Sequence, residues 1–212
     1  MLNTYVSSGI GTNEARKPHL VVATLGLTQI LAWGSTYYLP AVLAKPISVE
    51  TGWPLGWVVG GLSIGLLVAG FVSPKVGRAI HKSGGRPVLT LSSALFALGL
   101  VTVATATSLP VYLAAWSVLG LAMAMGLYDA VFATLGGLYG SSARTSITAV
   151  TIFAGFAGTL SWPFSAALVD VGWRTTCAVY AGLHLILAVP AHLLFNSAVY
   201  QKSCCTSRAE PR

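Results

Sequence analysis

Charged residues in this chain come in short clusters, and the stretches between clusters are too long and too apolar for a water-soluble fold. Leu20 to Ala44 contains no Asp, Glu, Lys or Arg, and neither does Leu55 to Pro74. From Pro87 to Ala143 the only such residue is Asp129, while Ser146 to Val169 and Thr175 to Phe195 have none. A helix needs roughly 20 apolar residues to cross the hydrocarbon layer of a bilayer. The Pro87 to Ala143 stretch is too long for one crossing and divides at Ser108-Leu109-Pro110, where proline suits the first turn of a new helix. The expected class is therefore an all-α integral membrane protein with six transmembrane helices in residues 20–195, a segment 1–19 before them and a polar tail 196–212 after them.

Composition agrees: 55% of the 212 residues are hydrophobic and 8% are charged, a balance outside the range of soluble domains. A membrane β-barrel would need short segments of alternating polarity, whereas these segments are apolar on every side. The first stretch is also too long for the apolar region of a signal peptide, and Lys45-Pro46 follows it where a cleavage site would need small residues.

Lys and Arg then orient the helices, because positive residues are retained on the cytoplasmic side. Arg16 and Lys17 precede the first span; Lys75, Arg78, Lys82 and Arg86 lie between the second and third; Arg144 lies between the fourth and fifth. On the opposite side Lys45 stands near Glu50, Arg174 near Asp170, and the third connection has no charge. Both termini are expected in the cytoplasm, and the tail agrees, with Lys202, Arg208 and Arg212 against Glu210. Topology thus accounts for the net charge of +7, and no nucleic-acid partner is expected. The lipid bilayer is the expected surrounding.

Comparing the chain with itself at an offset of about 89 residues reveals a repeat. Pro74, then His81, then Gly84-Gly85-Arg86 can be laid on Pro163, then Asp170, then Gly172-Trp173-Arg174. Upstream, Gly34-Ser35-Thr36-Tyr37 can be laid on Gly126-Leu127-Tyr128-Asp129. Three is an odd number of crossings, so two such three-helix units must be inverted relative to each other.

Residues 77–86, Gly-Arg-Ala-Ile-His-Lys-Ser-Gly-Gly-Arg, sit in the basic connection after the second span. They resemble the major facilitator superfamily signature Gly-x-x-x-Asp-Arg/Lys-x-Gly-Arg/Lys-Arg/Lys. His81 stands where the family has aspartate, and Gly85 where it usually has a basic residue. Gly52-Trp53, the glycine-rich second span and Gly126-Leu127-Tyr128-Asp129-Ala130 also resemble bacterial members. The resemblance covers roughly residues 20–195 and implies the N-terminal six-helix half of a transporter in the bacterial inner membrane. It further implies secondary transport of a small solute, by efflux or coupled to protons, without a cofactor. Gly77, Arg78, His81, Lys82, Gly84 and Arg86 would form the turn that governs the conformational switch, and Asp170 with Arg174 its repeat equivalent. In the family the aspartate locks the two halves together; His81 cannot carry that negative charge. The chain ends after one half, so a homodimer, a separate second six-helix half or a truncated product is expected, with a non-transporting remnant or assembly partner as the rival.

Intramembrane polar residues mark candidate sites, since an ionised one at mid-bilayer costs roughly 2.5 kcal/mol or more. Asp129 is the foremost. At helical spacing it shares a face with Ala122, Gly126, Ala133 and Gly136, and it would either couple transport to protons or hydrogen-bond another helix. In the family, spans one and four line the cavity, which adds Tyr128 and, from the first span, Gln29, Trp33, Thr36 and Tyr37.

Enzyme chemistry finds no context. Gly61-Leu62-Ser63-Ile64-Gly65 has the letters of a hydrolase elbow, but that motif needs a strand-to-helix corner and this one lies inside a span. His184 and His192 read as core or lumen histidines. Cys177 is far in sequence from Cys204-Cys205, so no metal-ligand spacing exists. Glycine pairs four apart, Gly56/Gly60, Gly61/Gly65 and Gly136/Gly140, predict close helix contacts.

Overall fold

The computed structural model describes residues 18–194. Arg16, Lys17 and the tail residues Lys202, Cys204, Cys205, Arg208, Glu210 and Arg212 lie outside them. Among the described residues every regular element is helical. Five helical segments are long and apolar enough to cross a membrane: His19–Thr51, Leu55–Ser83, Gly85–Thr105, Leu109–Val169 and Trp173–Leu194. This is the pattern of an all-α integral membrane protein.

The first segment is two helices, α1 (Pro18–Thr36) and α2 (Leu39–Thr51). Pro40 lies in the opening turn of α2, where a missing N–H costs nothing. Gly52 ends α2 in the left-handed region at φ 73°, its N–H returning to the Ser48 carbonyl. The expected end at Ala44 is therefore too early, and Lys45 and Glu50 are helical rather than in a loop. Loss of apolarity marks where lipid ends; it does not stop a helix whose next residues still tolerate helical backbone.

The same reason corrects the second span. Helix α3 (Leu55–Ser83) passes through Pro74 and runs nine residues beyond it. Residues 77–83 are thus the last two turns of α3, and the corner into α4 (Gly85–Thr105) is made by Gly84 alone, at φ 82°. Helix α5 (Leu109–Gly126) stops at Leu127, which is extended, and α6 (Tyr128–Tyr139) restarts at once. A 3-10 turn at Gly140–Ser142 leads into α7 (Ala143–Gly155), which a break at Phe156 separates from α8 (Ala157–Val169). The last segment is α9 (Trp173–Leu183), then a π-helical turn (His184–Ala188), then helix again to residue 194.

Helix α5 is the centre of the bundle, packed along both α3 and α4, while α1 packs on α7 and α8, and α9 on α4. Helices α3 and α5 approach backbone to backbone at Gly65 and Gly120: a Cβ at either would press on the other's main chain or on Trp116. Gly61 likewise leaves room for the Trp116 ring. Of the three glycine pairs expected to mark helix contacts, only Gly61/Gly65 does so; a Cβ at Gly56, Gly60, Gly136 or Gly140 would meet nothing within 4 Å.

Buried apolar side chains form two clusters. One, around Leu43, Val58, Leu100, Tyr112, Trp116 and Trp173, lies toward the end where α2 meets α3. The other, around Val22, Ile80, Leu89, Val131, Leu135 and Val150, lies toward the α3–α4 corner. Gln29, Ser92 and Ser93 fall between them in chain position and are buried, and Gly126 is buried at the end of α5. The two ends also differ in charge. Lys75, Arg78, Lys82, Arg86 and Arg144 gather at the corner end with no acid among the described residues there, whereas Lys45, Glu50, Asp170 and Arg174 balance at the other. Gly120→Val should force α3 from α5 and destabilise the fold by about 1–3 kcal/mol, whereas Gly56→Ala should leave the unfolding temperature in detergent unchanged; equal temperatures for both would refute the backbone contact.

Candidate functional site

Gln29 begins the site. It is 1% exposed on α1 and its amide Nε2 donates to the carbonyl of Gly126 at 2.6 Å. That carbonyl belongs to the last residue of α5, where the extended Leu127 interrupts the helical ladder, so the glutamine supplies a partner that a helix end in a dry interior otherwise lacks. Its Oε1 in turn accepts from Trp33 Nε1 at 3.2 Å, which fixes the indole one turn further along α1. The Trp33 ring lies 4.9 Å from that of Tyr128 and 5.4 Å edge-on to that of Tyr37, and Tyr128 stacks on Phe132.

These contacts wall a cleft of about 300 Å³ between α1, α3 and the α5–α6 break, lined by Trp33, Leu66, Ser73, Leu127, Tyr128 and Asp129. Trp33 of α1 and Tyr128 and Asp129 of α6 line this cleft together, whereas Gln29 is not in its wall and touches it only through its bond to Trp33. Asp129 is placed differently from its expected face, however. The break at Leu127 rotates it away from Ala122 and Gly126, which are buried, and leaves it exposed in the first turn of α6. There its carboxylate sits near the positive end of a helix dipole. Thr36 does not reach the cleft: it is fully buried, and its Oγ1 donates to the Ala32 carbonyl of its own helix. Tyr37 is exposed and touches the cleft only through Trp33.

The basic motif divides in two. Gly77, His81, Gly84 and Arg86 line a groove of about 550 Å³ at the α3–α4 corner, closed on the far side by Thr134 and Gly137. Arg78 and Lys82 point elsewhere and are exposed. At the opposite end Arg174 pairs with Glu50 of α2 rather than with Asp170, and Trp173 Nε1 donates to the same carboxylate at 2.8 Å. The Arg174 guanidinium also lies 4.1 Å from the Trp173 ring centre. Glu50 was invisible as a partner in the sequence because 124 residues separate it from Arg174.

A second polar group escaped the sequence reading as a group. On the side of α1 away from Trp33, Ser35 Oγ is 2.9 Å from His184 Nε2, and Gly34 lies against Ser161 and near the Tyr180 hydroxyl. Tyr180 Oη is 2.8 Å from Ser165 Oγ. The available signal was the two histidines in an otherwise uncharged span. Among the described residues no three His, Cys, Asp or Glu side chains gather as a metal site, and Ser63 is exposed in mid-α3. No protein-family model matches the chain, and no curated protein matches it.

Gln29→Leu should strand the Gly126 carbonyl and free Trp33, lowering stability by about 1–3 kcal/mol. Glu50→Gln, at an exposed pair, should cost less than about 1 kcal/mol. Thermal unfolding in detergent orders the two variants, and the reverse order would contradict this account.

Proposed function

We propose that this chain is a six-crossing unit for secondary transport of a small solute across the bacterial inner membrane, resembling the N-terminal half of a major facilitator. In this reading Leu109–Val169 crosses twice, turning at Gly140–Ser142, and both ends of the chain are cytoplasmic. The unit would work as a homodimer or beside a second six-helix half. Several observations support two inverted three-helix units: Gly84 and Gly172 both have positive φ just ahead of α4 and α9. The α1–α2 and α5–α6 breaks also fall at about the offset of the repeat. The charge contrast between the two ends supports the orientation.

The cleft beside α1 carries the functional reading. Two aromatic faces, Trp33 and Tyr128, stand beside one carboxylate, Asp129, in a wall whose only other polar side chain is Ser73, its hydroxyl already donated to the Ala69 carbonyl. That chemistry suits a solute with an apolar body and a positive charge: the rings attract the cation through their faces and the carboxylate fixes its position. Broken helices at the cleft supply the backbone freedom that alternating access requires, since a restart such as Leu127 can change angle without unravelling α5 or α6. The α3 face bearing Gly56, Gly60, Gly70 and Gly77, open to the surroundings, is the observation that favours the rival reading of an assembly partner.

Transport is tested with tetraphenylphosphonium as probe in proteoliposomes under an imposed pH gradient. Saturable uptake above protein-free vesicles is expected, with Asp129→Asn reducing it at least about tenfold, equivalent to about 1.4 kcal/mol. Uptake equal to that of protein-free vesicles, or unaffected by the substitution, would contradict the proposal.

A further inference from the structure

The buried face of the last segment carries a file of proton-bearing groups that the solute cleft does not use. Cys177, Tyr180, His184 and His192 are each no more than 4% exposed, while Leu185, Ile186 and Leu187 face outward. His184 is the twelfth of the 22 residues from Trp173 to Leu194, the middle of a crossing. His192 is eight residues further, a spacing that in a regular α-helix would rotate it by about 80° from His184. The π-helical turn at His184–Ala188 absorbs one residue, which restores an effective spacing of about seven and returns both imidazoles to one face. Turns of this type are frequent at functional sites.

The polar atoms on this face are only partly satisfied. Ser35 Oγ donates to the Ala32 carbonyl at 3.3 Å and so can accept from His184 Nε2 at 2.9 Å. His184 Nδ1 then keeps a bare lone pair, and it has no partner. On α4, which packs against the π-turn, the buried Thr90 Oγ1 is also without a partner. Phe96 of α4 stacks on the His184 ring at 4.8 Å. Thr90 lies six residues from Phe96, about 9 Å along α4, toward the corner end, and His192 lies toward that same end. Toward the other end the file continues through Tyr180 Oη to Ser165 Oγ at 2.8 Å. The ionisable groups on the packed elements near His184 are Tyr180, Cys177 and His192; α1 and α4 present Ser35 and Phe96 there, and α1, α4 and α9 contain no carboxylate.

We propose that this file, with ordered water bridging His184 Nδ1, Thr90 and His192, is a proton path across the protein, separate from the solute cleft and on the opposite side of α1. Buried water answers polar atoms that protein leaves unpaired, and the roughly 9 Å along α4 between the level of His184 and Thr90 requires more than one such water. A proton from a bridging water forms the Nδ1–H bond and gives imidazolium. The Nε2–H bond then breaks, its proton leaves to water on the Ser35 side, and the ring is neutral again in its other tautomer. One proton enters at Nδ1 and one leaves from Nε2; a half-turn of the ring about its Cβ–Cγ bond, which keeps the same ring plane and carries the remaining N–H to the Ser35 side, resets it. Tyr180 extends the file beyond His184, and Phe96 holds the imidazole plane across it.

The path is tested without any solute, so its outcome is independent of whether the Asp129 cleft transports. Full-length protein is reconstituted into liposomes loaded with a pH-sensitive dye, and a potassium diffusion potential drives proton entry. Wild-type protein should raise the entry rate at least about tenfold over protein-free vesicles. His184→Gln, which keeps a bond to Ser35 but carries no proton, should return it to the protein-free rate. Tyr180→Phe, which removes one hydroxyl and keeps the packing, should lower it several-fold, and His19→Phe, at the exposed start of α1, should not change it. Wild-type entry no faster than that of empty vesicles, or full-rate entry through both His184→Gln and Tyr180→Phe, would overturn the path. If His184→Gln does not fold, Tyr180→Phe alone decides.

Discussion

The hydrogen bond from Gln29 to the Gly126 carbonyl is the contact on which the rest of this arrangement depends. Helix α5 is the most enclosed element of the bundle, and it ends inside it at an extended residue. A broken helix in a dry interior leaves carbonyls that neither water nor the ladder can satisfy. One side chain from α1 answers the last of them. By doing so it sets the height and rotation of α1 against α5, brings Trp33 onto Tyr128, and turns Ser35 and Gly34 toward α8 and α9. The cleft on one side of α1 and the histidine file on the other are two consequences of the same placement.

Glycine contacts and polar contacts divide the work of holding the helices. In lipid there is little hydrophobic drive between helices, so close approach and hydrogen bonds carry association. Gly65 and Gly120 let α3 and α5 touch along their backbones, while Tyr112 donates its hydroxyl to the Val58 carbonyl at 3.0 Å on the same pair of helices. At the uncharged-balance end, Glu50 ties α2 to α9 through Trp173 and Arg174. The corner end has no such tie among its cations, so repulsion there is relieved only by water and headgroups. The two ends of the bundle therefore differ in how their charges are balanced.

Much of the helical content was legible because lipid imposes so strict a pattern: Leu55 to Pro74 and Thr175 to Phe195 could be read by absence of charge alone. Helix ends were not legible in that way. Residues Lys75–Ser83 and Lys45–Thr51 leave the apolar zone but keep helical backbone, since nothing before Gly84 or Gly52 stops them. The site was half legible. Trp33 and Tyr128, named from the span pairing that the resemblance implies, do stand against each other, whereas the rotation of Asp129 depends on Leu127 adopting an extended conformation that its residue type does not announce. The Glu50–Arg174 and Ser35–His184 partners, 124 and 149 residues apart, are set by tertiary packing, which one sequence does not encode in any local signal.

Everything functional in this account rests on Leu109–Val169 crossing the membrane twice. Single cysteines at Ser83, Thr107, Ser141 and Val171, in a chain whose three own cysteines are replaced, can be labelled from each side of sealed vesicles with an impermeant maleimide. Six crossings require Ser83 and Ser141 to label from one side and Thr107 and Val171 from the other. Labelling of Val171 from the side opposite Thr107, the result of a single crossing, or of Ser141 from the same side as Thr107, would contradict the account.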